Sequence, residues 1–363
     1  MRKVCFVTGT RAEFGLMRTT LEAITANPNL QLQLVVTGMH VMPGFGETWR
    51  DIEAAGFAVD AKVPWLSGNR AIATGQATAD LARTLQSLAS DIVLVVGDRV
   101  EAFAAASAAH LSDLCLAQIH GGDRATGQAD DSIRHAISKL AHVHLPATQE
   151  SADRLRKMGE DDWRIHRVGA PGIDRIEELA DADCGIDGPF ALIALHPTRP
   201  DVDAEYATAQ RLLTATLAAG IDRVVIIGSN NDPGHEGIDR CWDDWAKDGR
   251  VSYLPSVPRS RFLALLREAM FLAGNSSSGI IEAASLGCKV LDVGPRQFGR
   301  ERSSNLVHIE DDADEMRAAF ERMSFGYYEG ENVYGSTGVG EKIAHVLARV
   351  QINEQLLRKT IAY

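Results

Sequence analysis

Short, continuous apolar runs recur along the chain and are separated by stretches with helical spacing. "VCFVTG" precedes "LMRTTLEAITA", "LQLQLVVTG" follows, and later come "DIVLVVGD", "LCLAQIHGG" and "VHLPA". A strand that is apolar at nearly every position has both faces buried, so runs of this kind between helices predict a parallel sheet covered on both sides. Around "VGAPGIDRI" two glycines and a proline interrupt the pattern, and a polar, acidic stretch continues to "DADCGIDGP". The alternation then restarts with "FALIALH", "DRVVIIG", "VSYLP", "MFLAG" and "KVLDVG", so residues 169 to 188 read as a linker region. With 363 residues, 45% of them apolar, the chain can build two cores.

The expected fold class is α/β, two Rossmann-like domains facing a central cleft. The first domain is assigned residues 1–170, the second 171–342, and a C-terminal helix 343–363. That last segment, "GEKIAHVLARVQINEQLLRK", has Ile343, Val346, Leu347, Val350, Ile352 and Leu356 at helical spacing. It is longer than a closing helix needs, and is expected to cross back to the first domain.

Charge excludes several classes of partner. The 37 basic and 49 acidic residues give a net charge of -12, without any Lys or Arg run, which argues against nucleic acid and anionic membrane as partners. No stretch approaches the roughly 20 apolar residues of a membrane span, and the start lacks a secretory cleavage signal. Cys5, Cys115, Cys184, Cys241 and Cys288 are scattered and never paired as C-x-x-C, against a disulfide framework or zinc site. A cytoplasmic protein is expected.

Ligands of such sheets bind beyond the carboxyl ends of the strands, where the informative residues stand. After the first strand, "GTRAEFGLM" places Gly9 and Arg11 at a strand-to-helix turn suited to a phosphate, though it is neither G-x-G-x-x-G nor a P-loop. In "VVGDRVEAFAAA", Asp98 follows a buried strand and Arg99 and Glu101 head an alanine-rich helix, where an acid is also a plain cap. "HGGDRATGQADDSIRH" then joins a glycine pair to Asp123, Asp130, Asp131 and two histidines, His120 and His135. A metal site, a solvated capped helix with the ion pairs Asp130–Arg134 and Asp131–His135, and an acid–base centre are all readings of it.

The second half supplies His196 in "LIALHPT", Gly228, Ser229 and Asn230 in "IIGSNNDP", and Ser276, Ser277, Ser278 and Gly279 in "LAGNSSSGIIEAASLG". Serine hydroxyls and free amides at a strand-to-helix turn suit a second phosphate, and Glu282, a turn later, suits the hydroxyls of a ribose. "DVGPRQFGRERSSN" crowds Arg296, Arg300 and Arg302 into one loop, either a solvated basic loop or an anion site.

Taken in order, "GTRAEFGLM", "GDRVEAFAAA", "HGGD...DDSIRHAISKLAHVH", "VGAPGID", "HP", "GNSSSGIIEA" and "PRQFGRE" resemble the hydrolysing UDP-N-acetylglucosamine 2-epimerases over nearly the whole chain. The resemblance implies a glycosyltransferase-B-like fold and a nucleotide-sugar substrate. It implies metal-free, cofactor-free chemistry in sialic and legionaminic acid biosynthesis, and a homodimer or homotetramer. It implies that a base removes the sugar C2 proton as UDP leaves C1, and that water adds to the resulting glycal to release N-acetylmannosamine. By motif position, Asp98, Asp123 and Asp131 match the catalytic acids. Arg11, His196, Ser277, Ser278 and Glu282 match nucleotide-binding positions, to which Arg99, His135, Ser276, Gly279 and Arg296 are added as substrate-binding candidates.

Two departures from that family stand out. Asp123 replaces the usual glutamate, and "RATGQA" replaces a stretch that commonly includes Thr-Glu-Gly. Beside the UDP-N-acetylglucosamine reading stands the same chemistry on a UDP- or GDP-linked 2,4-diacetamido-2,4,6-trideoxy sugar. Further alternatives are a non-catalytic UDP-sugar sensor, a non-hydrolysing epimerase, which would tend to carry "HVEAGLR", and a glycosyltransferase needing an acceptor.

Overall fold

The computed structural model describes residues 1–124, 129–230, 232–322 and 326–362. Two compact units emerge. One comprises Met1–Asp174 together with Tyr334–Tyr363, the other Arg175–Val333.

The first unit is built on a six-stranded parallel sheet of β1 (Arg2–Thr8), β2 (Leu30–Val36), β3 (Ala61–Lys62), β4 (Ile92–Val96), β5 (Cys115–Ile119) and β6 (Val143–Leu145), in the order β3-β2-β1-β4-β5-β6. Alternate residues of these runs feed two cores. Val4, Phe6, Ile92, Leu94 and Val96 face one cluster, while Cys5, Val7, Val93 and Val95 face the other. A period of two, with both phases apolar, is the signature of a strand buried on both faces. The helix Val100–Leu111 is mostly alanine on its buried surface, which lets it lie close to the sheet and to the helices Arg70–Leu88 and Ala129–Leu140.

The second unit carries β7 (Ala191–Ala194), β8 (Val224–Ile227), β9 (Val251–Leu254), β10 (Leu272–Gly274), β11 (Val290–Val293) and β12 (Leu306–Ile309), ordered β12-β11-β10-β7-β8-β9 and again all parallel. Counted within the unit this is the same strand order as the first. Each sheet therefore reverses direction once, between β1 and β4 and between β7 and β10, and the crevice at such a switch is where ligands bind. The five cysteines are buried free thiols, those of Cys5, Cys115, Cys241 and Cys288 pushed up to about 12 by burial. No helix among the described residues is long and apolar enough to cross a membrane.

The C-terminal segment is not one helix. It forms Val339–Arg349 and a separate turn Glu354–Leu357, with Val350 extended at φ -55, ψ 130 between them. Asn353 restarts the helix by accepting a hydrogen bond from Leu356 N (2.9 Å), and buried Arg164 donates to the carbonyls of Gln355 and Leu356 (2.8 and 2.7 Å). The return begins ahead of the helix, where the Tyr334 carbonyl accepts from Ala170 N (2.9 Å). Both oxygens of Asp174 accept from the helix start, at Gly338 N and Gly340 N (2.7 Å each).

Candidate active site

In the first unit the residues singled out by sequence gather beyond β1, β4 and β5. Gly97, at φ +75, turns the chain out of β4 and presents Asp98, whose carboxylate receives the Arg134 guanidinium. Arg134 is only 4% exposed and also donates to the His120 carbonyl (3.1 Å), so one side chain ties the exit of β4 to the exit of β5. The helical spacing of Arg134 with Asp130 suggested a local ion pair. Arg134 spans to Asp98, 36 residues away in sequence; the Asp130 side chain, and with it that pair, lies outside the described residues, as does most of "RATGQA". The pair Asp131–His135 does form, loosely, at 3.7 Å. Burial lowers the His135 pKa despite Asp131, and His135 Nδ1 and Arg134 Nε are buried without a hydrogen-bond partner among the described residues.

Asp123 is drawn inward. One carboxylate oxygen meets His120 Nδ1 at 2.9 Å and the other accepts from Ser151 Oγ at 2.8 Å. Burial alone would raise its pKa, but the neighbouring His120, Arg134 and Ser151 outweigh it and hold the carboxyl well below the usual range. The two glycines make this geometry possible. Gly122 sits at φ +80, and a Cβ there would lie 2.3 Å from the Ser151 carbonyl oxygen, so no larger residue lets the loop press onto the helix Gln149–Lys157.

The turn after β1 has another occupant. Glu13 Oε2 accepts from Gly9 N (2.7 Å) and Thr10 N (3.1 Å) in a capping box with Thr10, so the chain's own carboxylate takes the two amides expected for a phosphate. Burial, joined by the nearby Glu101, pushes Glu13 up to about 7 despite the amides. Arg11 is exposed and pairs with Asp51 at 2.8 Å. Arg99 pairs with buried Glu101 (3.2 Å), which packs under Gly9 and Gly38. Beside Arg99 and Glu101 lies a pocket of about 320 Å³ walled by Met39, Met42, Trp65 and Leu66.

In the second unit, Asn275 clips the two strand ends of the switch together, accepting from His196 N and donating to His196 O, both at 2.8 Å. His196 Nδ1 accepts from Asn230 N (3.1 Å), which leaves the ring proton on Nε2 as a donor, and burial with the help of Arg296 lowers its pKa to about 4. Ser276 caps the short helix Ser277–Ile281 and bonds Ser278 Oγ (2.7 Å), while Ser277 is exposed. Gly279 serves packing, since a Cβ there would come within 2.9 Å of Val290. Glu282 is buried and engaged by Arg259. The basic loop is partly answered from within: Arg296 holds Asp232 (2.9 Å) and the Pro197 carbonyl (2.6 Å), and Arg302 holds buried Asp292 (3.1 Å). No three His, Cys, Asp or Glu side chains among the described residues are grouped to hold a metal ion.

The family model described as UDP-N-acetylglucosamine 2-epimerase matches residues 22–348. The chain belongs to this family. Over 381 aligned positions, covering all of both chains, it is 33% identical to the UDP-N,N'-diacetylbacillosamine 2-epimerase (hydrolyzing) of Legionella pneumophila. It is 31% identical to the UDP-N-acetylglucosamine 2-epimerase of Neisseria meningitidis, covering 96% of this chain and 95% of that one. The crystal structure of the Neisseria meningitidis UDP-GlcNAc 2-epimerase bound to UDP-GlcNAc superposes with a TM-score of 0.81 at 18% identity, covering 96% of this chain and 100% of that one, and shows the fold is shared. As a member of the 2-epimerase family the chain is an enzyme, and the acids of its first unit sit where such sheets place their ligands.

Several partners in this epimerase's site were not singled out from sequence. Arg134 has the spacing of a helix-face cation, Ser151 and Arg154 lie at the start and in the last turn of Gln149–Lys157, and no motif points to Arg259. Arg154 holds the Gly122 carbonyl, so the "HGGD" loop is fixed from both sides. Only the invitation of two adjacent glycines hinted that something must press against that loop.

Proposed function

We propose that this epimerase hydrolyses a UDP-linked 2,4-diacetamido-2,4,6-trideoxy sugar, releasing UDP and the free sugar inverted at C2. The observation that carries this choice is the full-length, 33% match to a hydrolysing enzyme named for UDP-N,N'-diacetylbacillosamine. The pocket beside Arg99 sets Met39, Met42, Trp65 and Leu66 against Ser67, Arg70 and Glu101, a mixed lining that suits acetamido groups, which carry a methyl and an amide together. Within this reading the second unit takes the nucleotide. His196 Nε2, Ser277 and the Arg296 loop serve the diphosphate and Glu282 the ribose, once Arg259 yields it.

The first unit carries the sugar chemistry. Asp98, Asp123 and Asp131 build the centre where the protons move, with Arg99 and His135 beside them and Arg11 reaching from the β1 turn. The C2 hydrogen is weakly acidic, so departure of UDP must be stabilised by cations while a nearby base takes the proton. Asp98, held by Arg134, is fixed in place to orient the sugar hydroxyls.

UDP-N-acetylglucosamine remains the second reading, favoured by the 31% relative from Neisseria meningitidis. Turnover of both UDP-sugars in deuterated water separates them. A higher kcat/KM for the diacetamido sugar is expected, and a preference for UDP-N-acetylglucosamine assigns the second reading instead.

A further inference from the structure

We propose that His120 is the catalytic base that takes the C2 proton and that Asp123 is its positioning residue, holding the ring rather than meeting the sugar. This rests on the hydrolytic epimerase reading above and names the group at its centre. Three observations carry it. First, both oxygens of Asp123 are already committed, to His120 Nδ1 and to Ser151 Oγ. Second, an ionised carboxylate only accepts, so Nδ1 of His120 carries the proton and Nε2 is the basic nitrogen of the neutral ring. Third, the His120 backbone is pinned in the same network as Asp98, since Arg134 bonds the His120 carbonyl and the Asp98 carboxylate together.

Asp123 itself is poorly suited to the task. A carboxylate held far below its ordinary pKa is a feeble base and is never protonated near neutrality. An imidazole backed by that carboxylate is suited to it, as in other histidine–carboxylate pairs where the acid stabilises the imidazolium.

The dyad also accounts for the aspartate. His120 lies at φ +60 and Gly122 at φ +80, and the doubled-back loop brings residue 123 under the ring. A glutamate would carry its carboxylate about 1.5 Å farther from the backbone, past both present partners.

The step balances as follows. Neutral His120 Nε2 accepts the C2 proton, the C–H electron pair becomes the C1=C2 bond, and the C1–O pair departs with the β-phosphate of UDP. Water then gives its oxygen to C1, C2 receives a solvent-derived proton on the opposite face, and His120 returns its proton to solvent.

The test is a variant series on the full chain with UDP-linked diacetamido-trideoxyglucose. His120→Gly, which the positive φ tolerates, should lower kcat by on the order of 10²–10⁴ with KM changed little, and added imidazole should restore part of the rate. His120→Asn, also at home at positive φ, should show the same loss without rescue. Asp123→Asn should lower kcat with KM changed little, because Nδ1 loses the carboxylate that fixes the ring, and added imidazole should not restore the rate. His120→Gly/Asp123→Asn should be no slower than His120→Gly alone. Multiplying losses in the double variant, or His120 variants within threefold of wild type, overturn the dyad. The wild type reports separately on the function: failure to label C2 from deuterated water contradicts the hydrolytic reading and the dyad with it, whereas labelled product with multiplying losses leaves the function standing.

Discussion

Asp98 and Arg134 show how a single contact can define a site. The aspartate alone could be a helix cap, but a buried guanidinium that reaches across from the next helix makes it one end of a network through His120 to Asp123. Asp98→Asn and Asp131→Asn are therefore expected to cut kcat by at least about 100-fold while leaving UDP affinity within about threefold, measured by steady-state kinetics and calorimetric titration with UDP. Loss of UDP binding with chemistry spared would reverse this division of labour. Asp98 and Asp123 stand out in the sequence because each lies within a glycine turn just beyond an apolar strand. Arg134 does not, because helical spacing reports neighbours four residues away and its partner is 36 residues off. Arg11 illustrates the converse: a cation in the expected place is exposed and paired with Asp51, because Glu13 already fills the turn.

At the level of elements, continuous apolar runs sufficed to anticipate both parallel sheets, since alternate residues of one run must enter two different cores. Strand order was beyond that pattern, because it is set by pairings between distant segments. The C-terminal segment was legible as apolar and helical but not as broken: Val350 and Ile352 keep the spacing while Asn353 and Arg164 end one helix and start another. Asp174 fixes where this segment begins. Asp174→Ala removes the acceptor of two amides, one of them buried, at the start of Val339–Arg349, whose Val339, Ile343 and Leu347 complete the first core. A loss of about 1–2 kcal/mol is expected, as for other helix caps. Faster hydrogen exchange confined to the first unit would verify it, and unchanged protection over 339–349 would refute it.

The whole molecule pairs two units of the same strand order, and they differ in how they answer acid. In the first, His40, His142 and His144 are each held down to about 4, chiefly by burial, against about 6.5 when unfolded. A depressed group stabilises above its unfolded pKa and that stability is lost as pH falls through the folded value. Glu13, pushed up to about 7, acts oppositely: it stabilises at low pH and loses that contribution as pH rises. These histidines, joined by His135 and His166, take up more protons on unfolding below pH 6.5 than the one Glu13 releases, so the first unit loses stability as pH falls. In the second unit His196 is opposed by Asp292, which burial raises. Hydrogen exchange at pH 7 and pH 5 should therefore show protection lost first in the first unit, and equal or reversed loss would count against these assignments.

The central claim, that an epimerase of this family uses the acids of its first unit for hydrolytic inversion at C2, meets its most direct test in the fate of one hydrogen. Incubated in deuterated water with UDP-linked diacetamido-trideoxyglucose, the enzyme is predicted to release UDP and a free sugar inverted at C2 that carries one deuterium there. An inverted sugar still attached to UDP, a released sugar with its original C2 hydrogen, or bound substrate without turnover would each contradict it.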